Sequence, residues 1–259
     1  MVYLLAIDIG NTTIECGVFE EESLQTSWRL SSEINRTPDE CWHTTAFFCR
    51  EAGIPTDSLS ELALSSVVPH HAHNFCRMAK DHFDENPLVI SVDTCPFLDI
   101  KYSNPHQVGA DRLCNAYAGF HFYGGPLIVV DFGTAITLDV ISKTGSYLGG
   151  TIIPGPMTAA KTLHKRTAQL PQVSLVFPDS VIGQSTDHAI AAGLTWGVTD
   201  MIDGMIERIN DEVKQTHTVV ATGGFAEVYS PRSRNFSKVH DDLVLDGVRL
   251  IRKQSRGSI

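Results

Sequence analysis

Two short turns carry the residues best suited to chemistry. Asp8-Ile9-Gly10-Asn11-Thr12-Thr13 follows the apolar run Leu4–Ile7, and Asp131-Phe132-Gly133-Thr134 follows the apolar run Leu127–Val130. A turn of this kind offers backbone N–H groups, hydroxyls and an amide, all able to donate to phosphate oxygens. The acid is unsuited to touching phosphate but suited to Mg²⁺ or its waters, because Mg²⁺ in nucleotide sites is held by one or two carboxylates plus the phosphates. A single Asp-x-Gly turn reads equally well as an acid capping its own hairpin. Its recurrence suggests a cleft between two related halves, with one phosphate-gripping hairpin from each wall. The chain has no G-x-x-x-x-G-K-[ST] loop and no kinase-type glycine-rich loop to compete for this role.

A third group lies in Tyr102-Ser103-Asn104-Pro105-His106-Gln107-Val108-Gly109-Ala110-Asp111-Arg112, where an acid and a guanidinium follow a small Gly-Ala pair. On pattern alone Asp111-Arg112 reads as a structural ion pair. His70-His71 with His73 reads as a solvated helix end, since imidazoles so close along one helix start do not converge on a metal. His164-Lys165-Arg166 reads as a solvated basic face, and Trp28, Trp42 and Trp196 are too scattered to form a base-stacking platform.

The elements that must position these residues are strands and helices in alternation. Each acid turn joins two apolar runs, the signature of a β-hairpin whose tight turn glycine permits. Thr37-Pro38-Asp39-Glu40 combines a cap, a first-turn proline and a Glu three residues after the cap, so a helix is predicted to run to about Gly53. Leu62–Val68 reads as a buried strand, His70–Phe83 as a helix and Pro87–Val92 as another strand. This alternation makes the chain α/β. A long helix begins at Ser185-Thr186-Asp187, with Ile190, Leu194, Val198, Met201, Ile202, Met205, Ile206 and Ile209 at near-helical spacing. Gly193 and Gly197 make a smooth face on it, open either to a helix–helix contact at a dimer seam or to packing on their own sheet. Strand Thr218–Ala221 runs into Thr222-Gly223-Gly224, where the missing side chains let a ligand or backbone approach. Arg249–Ile259 reads as a fraying helix end.

At 259 residues the chain suits two domains, placed at 1–117 and 118–259, the second carrying the candidate dimer helix. With 42% hydrophobic and 19% charged residues and no run long enough to cross a bilayer, it reads as an ordinary globular protein without a membrane partner. The start lacks the pattern of a secretory signal, so a cytoplasmic location is expected. A formal net charge of −10 opposes binding to a nucleic-acid backbone. The 6 cysteines, Cys16, Cys41, Cys49, Cys76, Cys95 and Cys114, form no C-x-x-C pair and read as reduced, mostly buried thiols.

The repeated Asp-x-Gly-x-Thr hairpin resembles the acetate kinase, sugar kinase, heat-shock chaperone and actin superfamily. Its members bind ATP between two related ribonuclease-H-like domains. Tyr102 through Arg112 is similar to the Y-x-x-P-x-x-x-G-A-D-R signature of type III pantothenate kinases within that superfamily. Asp8 through Gly17, Asp131–Ala135 with Thr137 and Asp139, Gly145, Gly149-Gly150 through Pro154-Gly155, Leu170-Pro171, Thr186 and Thr222–Gly224 match the same family in order.

The resemblance implies transfer of the γ-phosphoryl of ATP to the primary hydroxyl of pantothenate, the first step of coenzyme A synthesis. It places ATP and Mg²⁺ on Asp8, Ile9, Gly10, Asn11, Thr12, Thr13, Ile14, Glu15 and Thr134. It places pantothenate on Tyr102, Gly109, Ala110, Asp111, Arg112 and Thr186, and a monovalent cation, K⁺ or NH₄⁺, on Asp131. Asp111 then becomes the expected proton acceptor, because a phosphoryl-transfer site must orient the alcohol in line and take its proton. For Thr186 a plain helix cap remains an equal reading of the position. The family also implies a homodimer. Two other readings compete: a related small-molecule kinase, expected to lose Gly109–Arg112, and a non-catalytic accessory transcription regulator, expected to lose Asp8, Asp111 or Asp131.

Overall fold

The run Tyr-Leu-Leu-Ala-Ile-Asp-Ile is apolar on both pleat faces, as a central strand covered from two sides requires. It forms β1 (Tyr3–Ile9) in the computed structural model, which describes residues 2–83, 86–167 and 170–257. The chain then forms β2 (Thr13–Glu20), β3 (Ser23–Ser31), α1 (Pro38–Glu51), β4 (Leu59–Ser66), α2 (Pro69–His82), β5 (Leu88–Val89) and α3 (Ala110–Tyr123). A second series follows: β6 (Leu127–Phe132), β7 (Ala135–Ile141), β8 (Tyr147–Pro154), α4 (Pro156–Arg166), α5 (Thr186–Val213), β9 (Thr218–Thr222), α6 (Ala226–Tyr229), β10 (Lys238–Val239) and finally α7 (Leu243–Gly257).

The two sheets repeat one plan. Their orders are β3-β2-β1-β4-β5 and β10-β9-β6-β7-β8, which is the same order when the second is read backwards. In each, the first three strands form an antiparallel meander, and the fourth and fifth are added parallel to the first. Register carries the repeat to single residues. Asp8 lies opposite Ser65 and Asp131 opposite Thr222, each acid one residue before its strand ends.

The division of the chain differs from the expected boundary at 117/118. One unit comprises Met1–Phe122 with Leu243–Ile259, and the other Tyr123–Asp242. The last helix therefore belongs to the first unit. Its Val244, Leu245, Val248 and Ile251 pack with Leu4, Ala6 and Phe19, and its backbone at Gly247 lies so close to Cys114 that a Cβ there would clash. Arg252 and Arg256 pair with the buried Glu61 at 3.0 and 2.7 Å. Periodicity could show that this helix has an apolar face but not which sheet lacked a cover. Ser258 and Ile259, the end of the expected fraying segment, lie outside the described residues.

Local signals otherwise act as their chemistry requires. In the α1 capping box the Thr37 backbone N–H donates to Glu40 Oε2 at 2.8 Å, and the Glu40 N–H donates to Thr37 Oγ1 at 3.3 Å, a device worth about 1 kcal/mol. The expected strand over Pro87–Val92 shortens to Leu88–Val89. Thr94 explains this, because its hydroxyl accepts from the Ser91 N–H and donates to the Val89 carbonyl, turning the chain out of the sheet.

Candidate active site

In the first unit the pleat decides where Asp8 points. Leu5, Ile7 and Ile9 pack with residues of α1 and α2 on one face, whereas Leu4 and Ala6 pack with residues of α3 and α7 on the other. Side chains alternate along a strand, so Asp8 falls on the α3 face. Its cross-strand neighbour is Glu15, which lies beside Arg29 in register and pairs with it at 2.5 Å. That ion pair offsets the cost of two acids standing opposite one another. Ile9 and Ile14 are core residues at 0% and 1% exposure, so only their backbone is available to a ligand.

The Gly10–Thr13 turn closes with the Gly10 N–H on the Thr13 carbonyl at 3.0 Å. Asn11, Thr12 and Thr13 are exposed. Two further hydrogen bonds hold the turn from Ser32: its Oγ donates to the Gly10 carbonyl at 2.7 Å, and its backbone N–H donates to the Thr12 carbonyl at 3.0 Å. The Ser32 carbonyl in turn lies 2.8 Å from His71 Nε2. Here the expectation of a solvated histidine cluster fails. His70 and His73 are exposed, but His71 is buried at 2% exposure.

Asp111 is the second residue of α3, and its Oδ1 accepts from the Arg112 N–H at 2.8 Å. A side chain at Gly109 would collide with that same oxygen and reach Val67. Glycine at this position lets the Asp111 carboxylate lie close against the backbone. The Val67 N–H donates to the Ile9 carbonyl at 3.0 Å, which places the start of α3 beside the C-terminal ends of β1 and β4. Ligands of open α/β sheets bind at this edge. Burial raises the Asp111 carboxyl above its ordinary value, against the opposing effects of the Arg112 N–H and the guanidinium charge. Nearby, burial pushes the Cys114 thiol well up, and the Asp8 and Asp111 carboxylates both add to the push. Ala110 and Arg112 are buried and Tyr102 is half-buried.

In the second unit Ile128, Val130 and Phe132 join a core with Val198, Ile202 and Ile206 of α5, so alternation turns Asp131 to the opposite face. Gly223 follows Thr222, the register partner of Asp131, with φ +86°. A Cβ there would strike the Asp131 carboxylate and the Phe132 backbone. Thr134 is exposed, and its carbonyl accepts from the Gly155 N–H at 3.0 Å and Thr158 Oγ1 at 2.7 Å. Thr186 is exposed as the first residue of α5. The cap is its neighbour, since Ser185 Oγ accepts from the His188 N–H at 3.3 Å, so the plain-cap reading passes from Thr186 to Ser185. Gly193 and Gly197 are exposed with open space around each, which removes the reading that they pack on their own sheet. Asp139 is buried, accepting from Tyr147 Oη at 2.8 Å and Thr137 Oγ1 at 3.0 Å.

Sequence reasoning missed Ser32 and His71 because nothing in their local pattern differs from an ordinary strand end and helix start. It also missed Asp203, buried on α5, which accepts from Ser233 Oγ at 2.5 Å, the Arg234 N–H at 3.2 Å and Asn235 Nδ2 at 2.9 Å. The isolated polar position within the apolar helical spacing was its only trace. Among the described residues no group of three or more His, Cys, Asp or Glu side chains is arranged to hold a metal by itself. The half-buried Asp8 carboxylate, beside a turn whose Asn11, Thr12 and Thr13 are exposed, fits Mg²⁺ brought in with a nucleotide, which needs only one or two protein carboxylates.

The family model described as type III pantothenate kinase matches residues 4–208. Among solved structures, a conserved candidate transcriptional activator of the Baf family from Campylobacter jejuni is 22% identical, with 98% of this chain and 99% of that chain covered and a TM-score of 0.61. The activator of 2-hydroxyisocaproyl-CoA dehydratase from Clostridium difficile, with bound ADPNP, is 13% identical over 99% of this chain and 97% of that one, with a TM-score of 0.53. An inorganic polyphosphate/ATP-glucomannokinase from Arthrobacter sp. is 15% identical over 98% and 100%, with a TM-score of 0.50. At these identities the structures speak for the fold alone, that of the actin-like ATPases and sugar kinases.

Proposed function

The chain belongs to the type III pantothenate kinase family, and we propose that Asp111 is the base with which it phosphorylates pantothenate at the expense of ATP. The observation that carries this assignment is geometric: Asp8 lies on the α3 face of β1, and Asp111 stands at the start of α3 beside the C-terminal ends of β1 and β4. Asp111 accepts the proton of the primary hydroxyl as that oxygen attacks the γ-phosphorus. Burial makes its carboxylate a stronger base than an exposed one. The Arg112 N–H bond leaves the second carboxylate oxygen for the alcohol.

Asp8 takes the side of the divalent ion, with Ile9, Gly10, Asn11, Thr12, Thr13, Ile14 and Glu15 forming the phosphate segment around it. Mg²⁺, when bound with ATP, offsets the charge of the phosphates. Thr134 contacts the nucleotide and Asp131 holds a monovalent cation, K⁺ or NH₄⁺. The tight seat of Asp131 against Gly223 supports a fixed carboxylate of this kind. Tyr102, Gly109, Ala110, Arg112 and Thr186 form the pantothenate contacts. A homodimer is part of the proposal, supported by the exposed Gly193 and Gly197 with Met201 at 39% exposure one turn further along α5. No helix among the described residues is long and apolar enough to cross a membrane, and we place the enzyme in the cytoplasm with its substrates.

The test is phosphorylation of pantothenate by the purified protein with ATP and Mg²⁺, in K⁺ and again in Na⁺. Turnover that depends on K⁺ is the expected result. Folded protein without turnover in either salt would overturn the proposal and favour the regulatory reading.

A further inference from the structure

Holding a phosphate in a backbone turn requires more than N–H groups, because every peptide unit that offers an N–H also carries a carbonyl that repels the anion. A trans peptide points its C=O and N–H in opposite directions, and the peptide bonds of both turns are trans. Tying a carbonyl down on one side therefore aims the next residue's N–H at the other. The Gly10 and Thr12 carbonyls are both tied to Ser32. The N–H groups of Asn11 and Thr13 are consequently aimed away from the side on which Ser32 holds the carbonyls.

We propose that Ser32 and His71 are positioning residues for the nucleotide phosphates. Ser32 sequesters the Gly10 and Thr12 carbonyls of the Gly10–Thr13 turn, and His71 holds Ser32 in place. This rests on the kinase reading above and adds to it two residues outside the acid turns and outside the Tyr102–Arg112 segment. The chemistry of the second link is determined by its acceptor. A carbonyl oxygen cannot donate, so the 2.8 Å contact requires a proton on His71 Nε2. His71 is at 2% exposure, and its bond reaches from α2 to the chain just beyond β3. It fixes the Ser32 backbone to an element that does not itself form the turn.

The second unit reaches the same end with unrelated residues. There the Thr134 carbonyl is tied to the Gly155 N–H and Thr158 Oγ1, and the Ala135 N–H is aimed the other way. The two turns share a sequence pattern but not their clamps. The common feature is thus sequestration of carbonyls rather than an inherited pair of contacts.

The experiment measures binding of MgATP and of ADP by calorimetry without pantothenate, together with KM for each substrate, in Ser32→Ala, Ser32→Thr, His71→Leu and His71→Gln. Loss of one neutral hydrogen bond corresponds to about a fivefold change in affinity. Ser32→Ala is expected to weaken nucleotide binding about five- to tenfold with KM for pantothenate unchanged, and Ser32→Thr, which keeps the hydroxyl, to restore it. His71→Leu is expected to act in the same direction and His71→Gln, which keeps an N–H donor, to recover most of the loss. Should His71→Leu fail to fold, the Ser32 pair decides. Folded Ser32→Ala that binds MgATP as wild type does, or that weakens pantothenate equally, overturns the inference. A wild-type protein that binds MgATP but does not phosphorylate pantothenate would refute the kinase reading while the binding series still decides the clamp.

Discussion

Replacing Asp111 by Asn separates a catalytic carboxylate from a structural one, because the two roles move turnover and stability in opposite directions. Asn keeps an oxygen able to accept the Arg112 N–H, now bonded to Asp111 at 2.8 Å, and keeps the side-chain volume against Gly109. It loses the ability to take a proton. General-base catalysis contributes about 10²- to 10⁴-fold, so kcat should fall by that factor, equivalent to about 3 to 5 kcal/mol of transition-state stabilisation. Stability should hold or rise. The carboxyl is raised from its ordinary value of 3.8, with burial as the largest cause. The folded state therefore binds this proton more tightly than the unfolded chain, and the contribution to stability is greatest at low pH. It is lost as pH rises through the raised value, leaving an ionised group that costs stability near neutrality. Asn removes that cost while giving up a smaller favourable interaction with the helix N-terminus.

The assay is a coupled measurement of ADP release for kcat, paired with urea unfolding at neutral pH. In wild type the acid limb of kcat/KM should lie above the ordinary carboxylate range, as a base with a raised pKa requires. Asp111→Asn that keeps more than about a tenth of wild-type turnover would refute the base assignment. So would a variant inactive only because it unfolds at much lower urea.

Three other perturbations test the remaining positions. Gly223→Ala places a Cβ against the Asp131 carboxylate at φ +86°; strain of this kind should cost about 1 to 3 kcal/mol in urea unfolding and weaken the response of turnover to K⁺. Asp131→Asn should reduce the difference between rates in K⁺ and Na⁺ more than it reduces KM for pantothenate, and an unchanged salt response would remove Asp131 from the cation site. Asp203→Ala leaves Ser233, the Arg234 N–H and Asn235 without their shared buried acceptor. It should destabilise by about 3 kcal/mol while residual folded protein keeps its affinity for ATP.

How much of this could be read from the chain depended on whether the deciding interaction was local. The hairpins around Asp8 and Asp131, the α1 cap at Thr37 and the start of α5 near Thr186 arise from contacts within a few residues, and they stand where the pattern placed them. The shortening of β5 also had a local cause at Thr94, but a hydroxyl that turns a chain looks like any other Thr until its partners are known. His71 and His70 are adjacent in sequence and opposite in environment, since a helix turns neighbouring side chains to different sides and only the packed sheet decides which side is buried.

The sequence by itself determined the α/β class, the duplicated acid turns and the family, because these rest on residue types at short, repeated spacings. Tertiary structure alone decided that the last helix covers the first sheet, that Asp8 shares a face with α3, and that Ser32 ties down the Gly10 and Thr12 carbonyls. Each of these joins residues far apart in the chain. A side chain's pattern of polarity states that it needs a partner, and the folded backbone supplies which one.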